Sequence, residues 1–210
     1  MSEYTEYLKI LVALIAIVNP IGAIPMYVAL STEISEQEQA RMPTVISAAV
    51  VAILMAALFF GEVLLNFFGI TIDSFRVGGG ILLLILSISM LHGKNNATRQ
   101  TSEEMQESGE KESVAIVPLS TPLLAGPGAI SSVILYSQKS SSVLHYTLIA
   151  ADILLLGVML WAAFKLTPWI SKNISKTGIN IFTRLMGLVL AAIAVEFIAN
   201  GLKGLFPVLA

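Results

Sequence analysis

The stretch IVNPIGAIPMYVAL, Ile17 to Leu30, lies within an apolar run long enough to cross a membrane, yet it carries two prolines. Pro20 and Pro25 flank Gly22, and Asn19 stands just ahead of them. A proline inside a helix removes an N–H and crowds the carbonyl four residues back, at about 3 kcal/mol. Ideal helix geometry would leave the carbonyls of Ala16 and Ile21 without donors. In hydrocarbon such groups are costly, so broken backbone has to be buried in protein or face a wet cavity.

The composition says why lipid is the solvent. Of 210 residues, 56% are hydrophobic and 12% charged, and the mean hydropathy is +0.83. Soluble domains carry roughly 25% charged residues, and one small core could not hide this apolar excess. A net charge of −2 offers no basic surface for nucleic acid. The absence of cysteine removes disulfides and thiolate chemistry, and His92 and His145 form no ligand motif. Glu3 and Glu6 stand where a cleavable signal would be basic.

Six candidate spans follow, at 7–30, 43–66, 72–91, 114–136, 143–165 and 183–205, each near the ~20 residues a helix needs to cross. Polar breaks are expected at 31–42, 92–113 and 166–182, and short turns at 66–71 and 137–142. The loops at 31–42, 92–113 and 165–184 hold Arg41, Lys94, Arg99, Lys111, Lys165, Lys172, Lys176 and Arg184. The other side holds Lys9, Arg76, Lys139 and Lys203. The excess of positive charge predicts that the first set is cytoplasmic and both termini lie outside. Trp169 suits the headgroup boundary.

The opening motif recurs. STPLLAGPGAI, Ser120 to Ile130, sits in the fourth span with Pro122 and Pro127 at the same separation, and Thr121 stands where Asn19 stood. The third and sixth spans share Arg-x-x-Gly, at Arg76/Gly79 and Arg184/Gly187. The expected fold is therefore all-α, a 3+3 inverted repeat of six membrane helices whose first and fourth are broken. Residues 1–91 form one repeat, 92–113 a linker loop and 114–210 the other. Paired interrupted helices are the sequence pointer to a transporter's binding site. The substrate-site candidates are Asn19, Pro20, Gly22, Pro25, Thr121, Pro122, Gly126, Pro127 and Gly128. Half-helix N-termini there could hold a carboxylate, freed carbonyls a cation, and the glycines a close approach of ligand to backbone.

Ionisable groups within spans are functional candidates. Glu196 reads either as a carboxylate for a coupling proton or a substrate ammonium, or as a buried partner for an arginine or hydroxyl. Asn200 shares its face as a ligand or a packing group. Asp152 lies at the centre of the fifth span, and Glu62 at the rim of the second. Asp73 and Arg76 open the third span, as a helix cap with a local ion pair or as an external gate. Gly78 to Gly80 read as close helix packing, and Ser87 and Ser89 as bonded to backbone or a neighbouring helix.

NPIGAIP, GITIDSFRVGGGI, PLLAGPGAISS and TRLMGLVLAAIAVEFIANGLKG, in this order, resemble the MarC family of bacterial and archaeal inner-membrane proteins. The resemblance spans nearly the whole chain. It implies six spans and, through the LysE-like superfamily and an archaeal relative, transport of small neutral amino acids such as glycine or alanine. The expected function is secondary transport without a cofactor, coupled to protons or sodium, with a small solute and the bilayer as partners and homo-oligomer formation left open. The alternative is a non-transporting regulatory or structural membrane protein. An intramembrane enzyme is disfavoured, since no His-Glu metal motif, Gly-x-Ser-x-Gly elbow or cysteine nucleophile occurs.

Overall fold

A computed structural model describes residues 3–31, 35–92, 124–173, 175–206 and 208. These are helical: α1 (Glu3–Val18), α2 (Ile24–Ser31), α3 (Glu36–Phe67), α4 (Ile72–His92), α5 (Pro127–Ser137), α6 (Val143–Lys165), α7 (Thr167–Asn173) and α8 (Lys176–Leu205). Four of them, α3, α4, α6 and α8, are long and apolar enough to cross a membrane. The first apolar run is instead two pieces, α1 of 16 residues and α2 of 8. The second broken run resumes at Pro127. Its earlier part, with Thr121, Pro122 and the 92–113 loop apart from His92, lies outside the described residues.

The fifth span matches α6 at both ends, and the third matches α4 to within a residue. Two expected polar breaks are largely helix. α3 begins at Glu36 because Ser35 and Glu38 form a reciprocal capping box, and Pro43 lies within the helix. α8 begins at Lys176 because the Ser175 side chain accepts from the Gly178 N–H. Between α6 and α8 the 166–182 region also holds α7. At 32 residues, α3 extends about 48 Å at 1.5 Å per residue, longer than the hydrocarbon core. At the start of α4 the capping oxygen is Thr71 Oγ1, which accepts from the Ser74 N–H at 3.2 Å. Asp73 stands in the first turn and pairs with Arg76 at 3.2 Å, so the local ion pair is present and the cap belongs to Thr71.

The two halves of the sequence interleave around one core. α4 packs along α8, α3 along α6, and α1 against α5, α6 and α8. The α4–α8 contact is close because glycines remove side chains from it. A β-carbon on Gly80 would lie 2.9 Å from the Ala194 carbonyl oxygen, and one on Gly201 would lie 2.8 Å from that of Asp73. Gly187 meets the Ser87 carbonyl in the same way, at 3.2 Å. Gly79 faces Ser131 of α5, whereas Gly78 has open space beside it. Ser87 itself donates to the Leu84 carbonyl at 2.7 Å. α3 and α6 run antiparallel, with Trp161 Nε1 donating to Thr44 Oγ1 at 3.1 Å near one end and Phe59 stacked on Tyr146 near the other. Exposed apolar side chains on the outer faces, among them Phe59, Phe60, Val63, Leu155 and Leu188, suit contact with lipid acyl chains.

One end of the bundle is fastened by a buried histidine. His145 Nε2 donates to the Tyr136 carbonyl at 2.9 Å, since a carbonyl can only accept. Nδ1 then accepts from the Tyr7 hydroxyl, also at 2.9 Å. The imidazole thereby joins α1, α5 and α6.

Candidate functional site

The first break is built on Asn19. Its φ of +47° is left-handed, a conformation asparagine adopts more readily than most residues. The chain turns here because Pro20 cannot continue the helix. Asn19 closes the gap on itself: its N–H donates to the Ile15 carbonyl at 2.8 Å, and its carbonyl accepts from the Ala23 N–H at 3.2 Å. Asn19 Oδ1 accepts from the Gly22 N–H at 3.2 Å. Ile21, expected to carry a freed carbonyl, accepts from the Ile24 N–H at 3.2 Å, because the chain tightens by one residue ahead of Pro25. The space beside Gly22 is taken by the Asn19 amide and by Thr183 of α8, whose Oγ1 would lie 2.9 Å from an added β-carbon. Asn19 and Pro20 are buried, and Pro25 is exposed.

The second break ends at Gly126, the extended N-cap of α5, with Pro127 in the first helical turn and no side-chain cap. Leu124, Ala125, Gly128 and Ala129 are buried. A β-carbon on Gly128 would lie 2.7 Å from Leu83 Cδ2 and 3.9 Å from Ile17 Cγ2. Ile17 belongs to the last turn of α1, so the ends of the two interrupted helices lie close together. Asn19 and the Gly126–Gly128 segment are thus brought into one neighbourhood.

A cavity of about 680 Å³ opens at the end of the bundle fastened by His145, between α1, α4, α5 and α8. Its polar lining is Glu6, Lys9, Arg76, Lys139, Glu196 and Asn200, over apolar walls that include Ile10, Ala13, Ile193 and Phe197. Lys139 pairs with Glu6 at 2.8 Å and lies over the Tyr136 ring at 5.5 Å. The ammonium of Lys139 holds the Glu6 carboxyl below its usual value. Arg76 is occupied by Asp73. Lys9 and Glu196 have no ion-pair partner among the described residues.

The candidates read from the sequence therefore separate. Glu196, Asn200 and Arg76 gather in the cavity, with Asp73 behind Arg76, while Asn19, Gly22, Pro25 and Gly126–Gly128 do not line it. Asp152 is in neither group. Its Oδ2 is buried on α6 without a hydrogen-bond partner among the described residues, as is Ser47 Oγ on the facing α3. Lys9, Tyr136, Thr183 and His145 were not singled out from the sequence for these positions. Lys9 carries the one usable signal, a lysine set inside the first apolar run. No group of three or more histidine, aspartate or glutamate side chains among the described residues could hold a metal.

No solved structure matches this chain. Its relatives share it from end to end. It is 38% identical over 205 residues to the UPF0056 membrane protein YhcE of Escherichia coli, covering 98% of this chain and 95% of that one. It is 35% identical over 207 residues to the UPF0056 membrane protein YvbG of Bacillus subtilis, covering 98% of each. A UPF0056 membrane protein of Methanocaldococcus jannaschii is 38% identical over 194 residues, covering 91% of this chain and 93% of its own. The family model described as "MarC family integral membrane protein" matches residues 4–206, and the chain belongs to that family.

Proposed function

We propose that this protein is a secondary transporter of the cell inner membrane that carries small neutral amino acids such as glycine or alanine, and is not an enzyme. The observation that carries the reading is the meeting of two interrupted helices inside the apolar bundle, with Ile17 of α1 against Gly128 of α5. Interrupted helices are stable in lipid only where protein or a cavity surrounds them, and transporters place their sites there. The pairwise packing of α1 with α5, α3 with α6 and α4 with α8 supports a 3+3 inverted repeat, because these are the pairs such a repeat equates. In this reading Asn19 and Gly126–Gly128, with Thr121 and Pro122 ahead of them, hold the solute. The lysine- and arginine-rich loops face the cytoplasm and the cavity faces outward. Protons or sodium drive accumulation.

One observation favours the alternative, a regulatory or structural membrane protein. Asn19, Pro20, Ala125, Gly128 and Ala129 are all buried, and side chains fill the space beside Gly22 and Gly128. Uptake of labelled glycine and alanine into proteoliposomes decides between the two. Transport predicts gradient-dependent accumulation that Asn19→Ala reduces. No uptake and no exchange, under either a proton or a sodium gradient, would leave the regulatory reading.

A further inference from the structure

The cavity holds two charges of opposite sign that have no ion-pair partner among the described residues. Asp73 neutralises Arg76, and Glu6 neutralises Lys139. Lys9 on α1 and Glu196 on α8 remain, on different helices lining the same space. Lys9, Glu196 and Asn200 are exposed in the cavity, and a ligand that displaces their water recovers the loss only where it supplies the opposite charge. A simple cation would satisfy Glu196 and leave Lys9, while a simple anion would do the reverse. A solute bearing both signs satisfies both at once.

We infer that this cavity is a binding site for a small zwitterion, with Glu196 and Asn200 receiving its ammonium and Lys9 its carboxylate. Asn200 follows Glu196 by four residues, so both side chains leave α8 on one face. The volume of about 680 Å³ falls within the range of small-ligand sites and exceeds what a single ion needs. Ile10, Ala13, Ile193 and Phe197 offer apolar walls and no competing charge. The inference deepens the transport reading, and rests on it for the solute's onward passage. Ala13, in the cavity wall, lies one turn before Ile17, which sits beside the break.

The test is equilibrium binding of labelled alanine to the purified full-length protein, with gel-filtration elution as the check on folding. Wild type should bind saturably. Glu196→Gln and Lys9→Met should each weaken binding at least tenfold, and Glu62→Gln, on α3 and outside the cavity lining, should not change it. Wild-type affinity in both cavity variants overturns the inference, and continued proteoliposome uptake would then leave the transport reading standing by itself. The expected binding pattern without uptake keeps the cavity site and removes transport. Loss of binding in Asn19→Ala with none in the cavity variants moves the solute to the breaks and also overturns it. A phosphatidylethanolamine headgroup carries the same two charges, so binding is repeated in nanodiscs of phosphatidylethanolamine and of phosphatidylcholine. Equal alanine affinity in both supports a free solute. If the ethanolamine lipid excludes alanine and copurifies with wild type but not with Glu196→Gln, the occupant is the lipid and the free-solute assignment fails.

Discussion

α8 meets its two neighbours in opposite ways. Toward α4 it presents Gly187, Ala194 and Gly201 at seven-residue spacing, and the backbones come close enough that a β-carbon at Gly80 or Gly201 would meet a carbonyl oxygen. Toward α1 the same helix presents Ile193, Glu196, Phe197 and Asn200, and a cavity remains. Small residues without charge make a clamp, whereas long and ionisable ones on the adjacent stripe hold the neighbour away. One helix thereby serves as a fixed post for α4 and as one wall of an open cleft.

The sharpest way to break that contrast is to fill the clamp. Gly80→Leu drives a side chain into the Ala194 carbonyl and the Ile198 side chain, and backbone cannot move aside as a side-chain tip can. Overpacking of this kind costs about 1–3 kcal/mol or more. Loss of a monodisperse folded fraction, or a large fall in Tm in detergent, is expected. The equivalent change at Gly78, which has open space beside it, should leave Tm near wild type. Similar effects at both positions would mean that the α4–α8 contact is not close.

On the open side, the start of α1 is tied by the Tyr7–His145–Tyr136 chain of hydrogen bonds, while Ile10, Leu14 and Ile17 pack in the core. His145→Ala removes the imidazole's bonds to the Tyr136 carbonyl, which keeps the Lys139 N–H, and to Tyr7, and it leaves a void, which should lower stability by roughly 2–4 kcal/mol. Because α4 and α8 do not depend on this imidazole, hydrogen exchange should rise in α1 and the start of α6 while α4 and α8 stay protected. Uniform loss of protection would show that clamp and cleft form one cooperative unit.

Much of this architecture was legible in the sequence, because hydropathy and proline report on the backbone directly. The ends of α6, a turn within the expected 66–71 and the interruption at Asn19 follow from residue types alone. The starts of α3 and α8 were missed for a physical reason: hydropathy marks where lipid begins, not where a helix does. Both helices continue into polar sequence, and only the capping residues Ser35, Glu38 and Ser175 announce where they start. The Ile21 carbonyl was expected to be free because the expectation assumed ideal α geometry, whereas a local tightening supplies the Ile24 N–H. The cavity was not legible at all. Glu196 and Asn200 stood out as charged or polar in an apolar helix, but their facing Lys9 and Tyr136 depends on how α1 and α5 are placed.

Asn19 marks where α1 ends inside the packed interior, and its two contributions can be separated. Asn19→Ala loses the acceptor for the Gly22 N–H and places an alanine at a φ of +47°. Asn19→Gly loses the acceptor but adopts that φ freely. A left-handed conformation disfavours residues with a β-carbon by about 1–2 kcal/mol. Alanine should therefore be the less stable of the two by about 1 kcal/mol, read as the difference in Tm between the variants. Equal stabilities would mean that the break is held by its proline and its packing, not by the asparagine backbone.

The smallest effect belongs to the cavity mouth, where Glu6 and Lys139 pair in the open. Glu6 has its carboxyl held below the ordinary value of 4.5 by the hydrogen bond and charge of Lys139. A carboxylate lowered in the folded state contributes stability that is present above its unfolded value and is lost as pH falls through the folded one. Both side chains are about half exposed, so the pair is worth at most about 0.5–1 kcal/mol and weakens with salt. Lys139→Met should lower Tm slightly at pH 7, and the gap to wild type should close as the pH drops through and below 4.5. High salt at pH 7 should close it as well. A gap that persists in acid and in salt would mean that Lys139 acts through its stem on the Tyr136 ring, and the rim of the cavity would then be held by packing, as the α4–α8 clamp is.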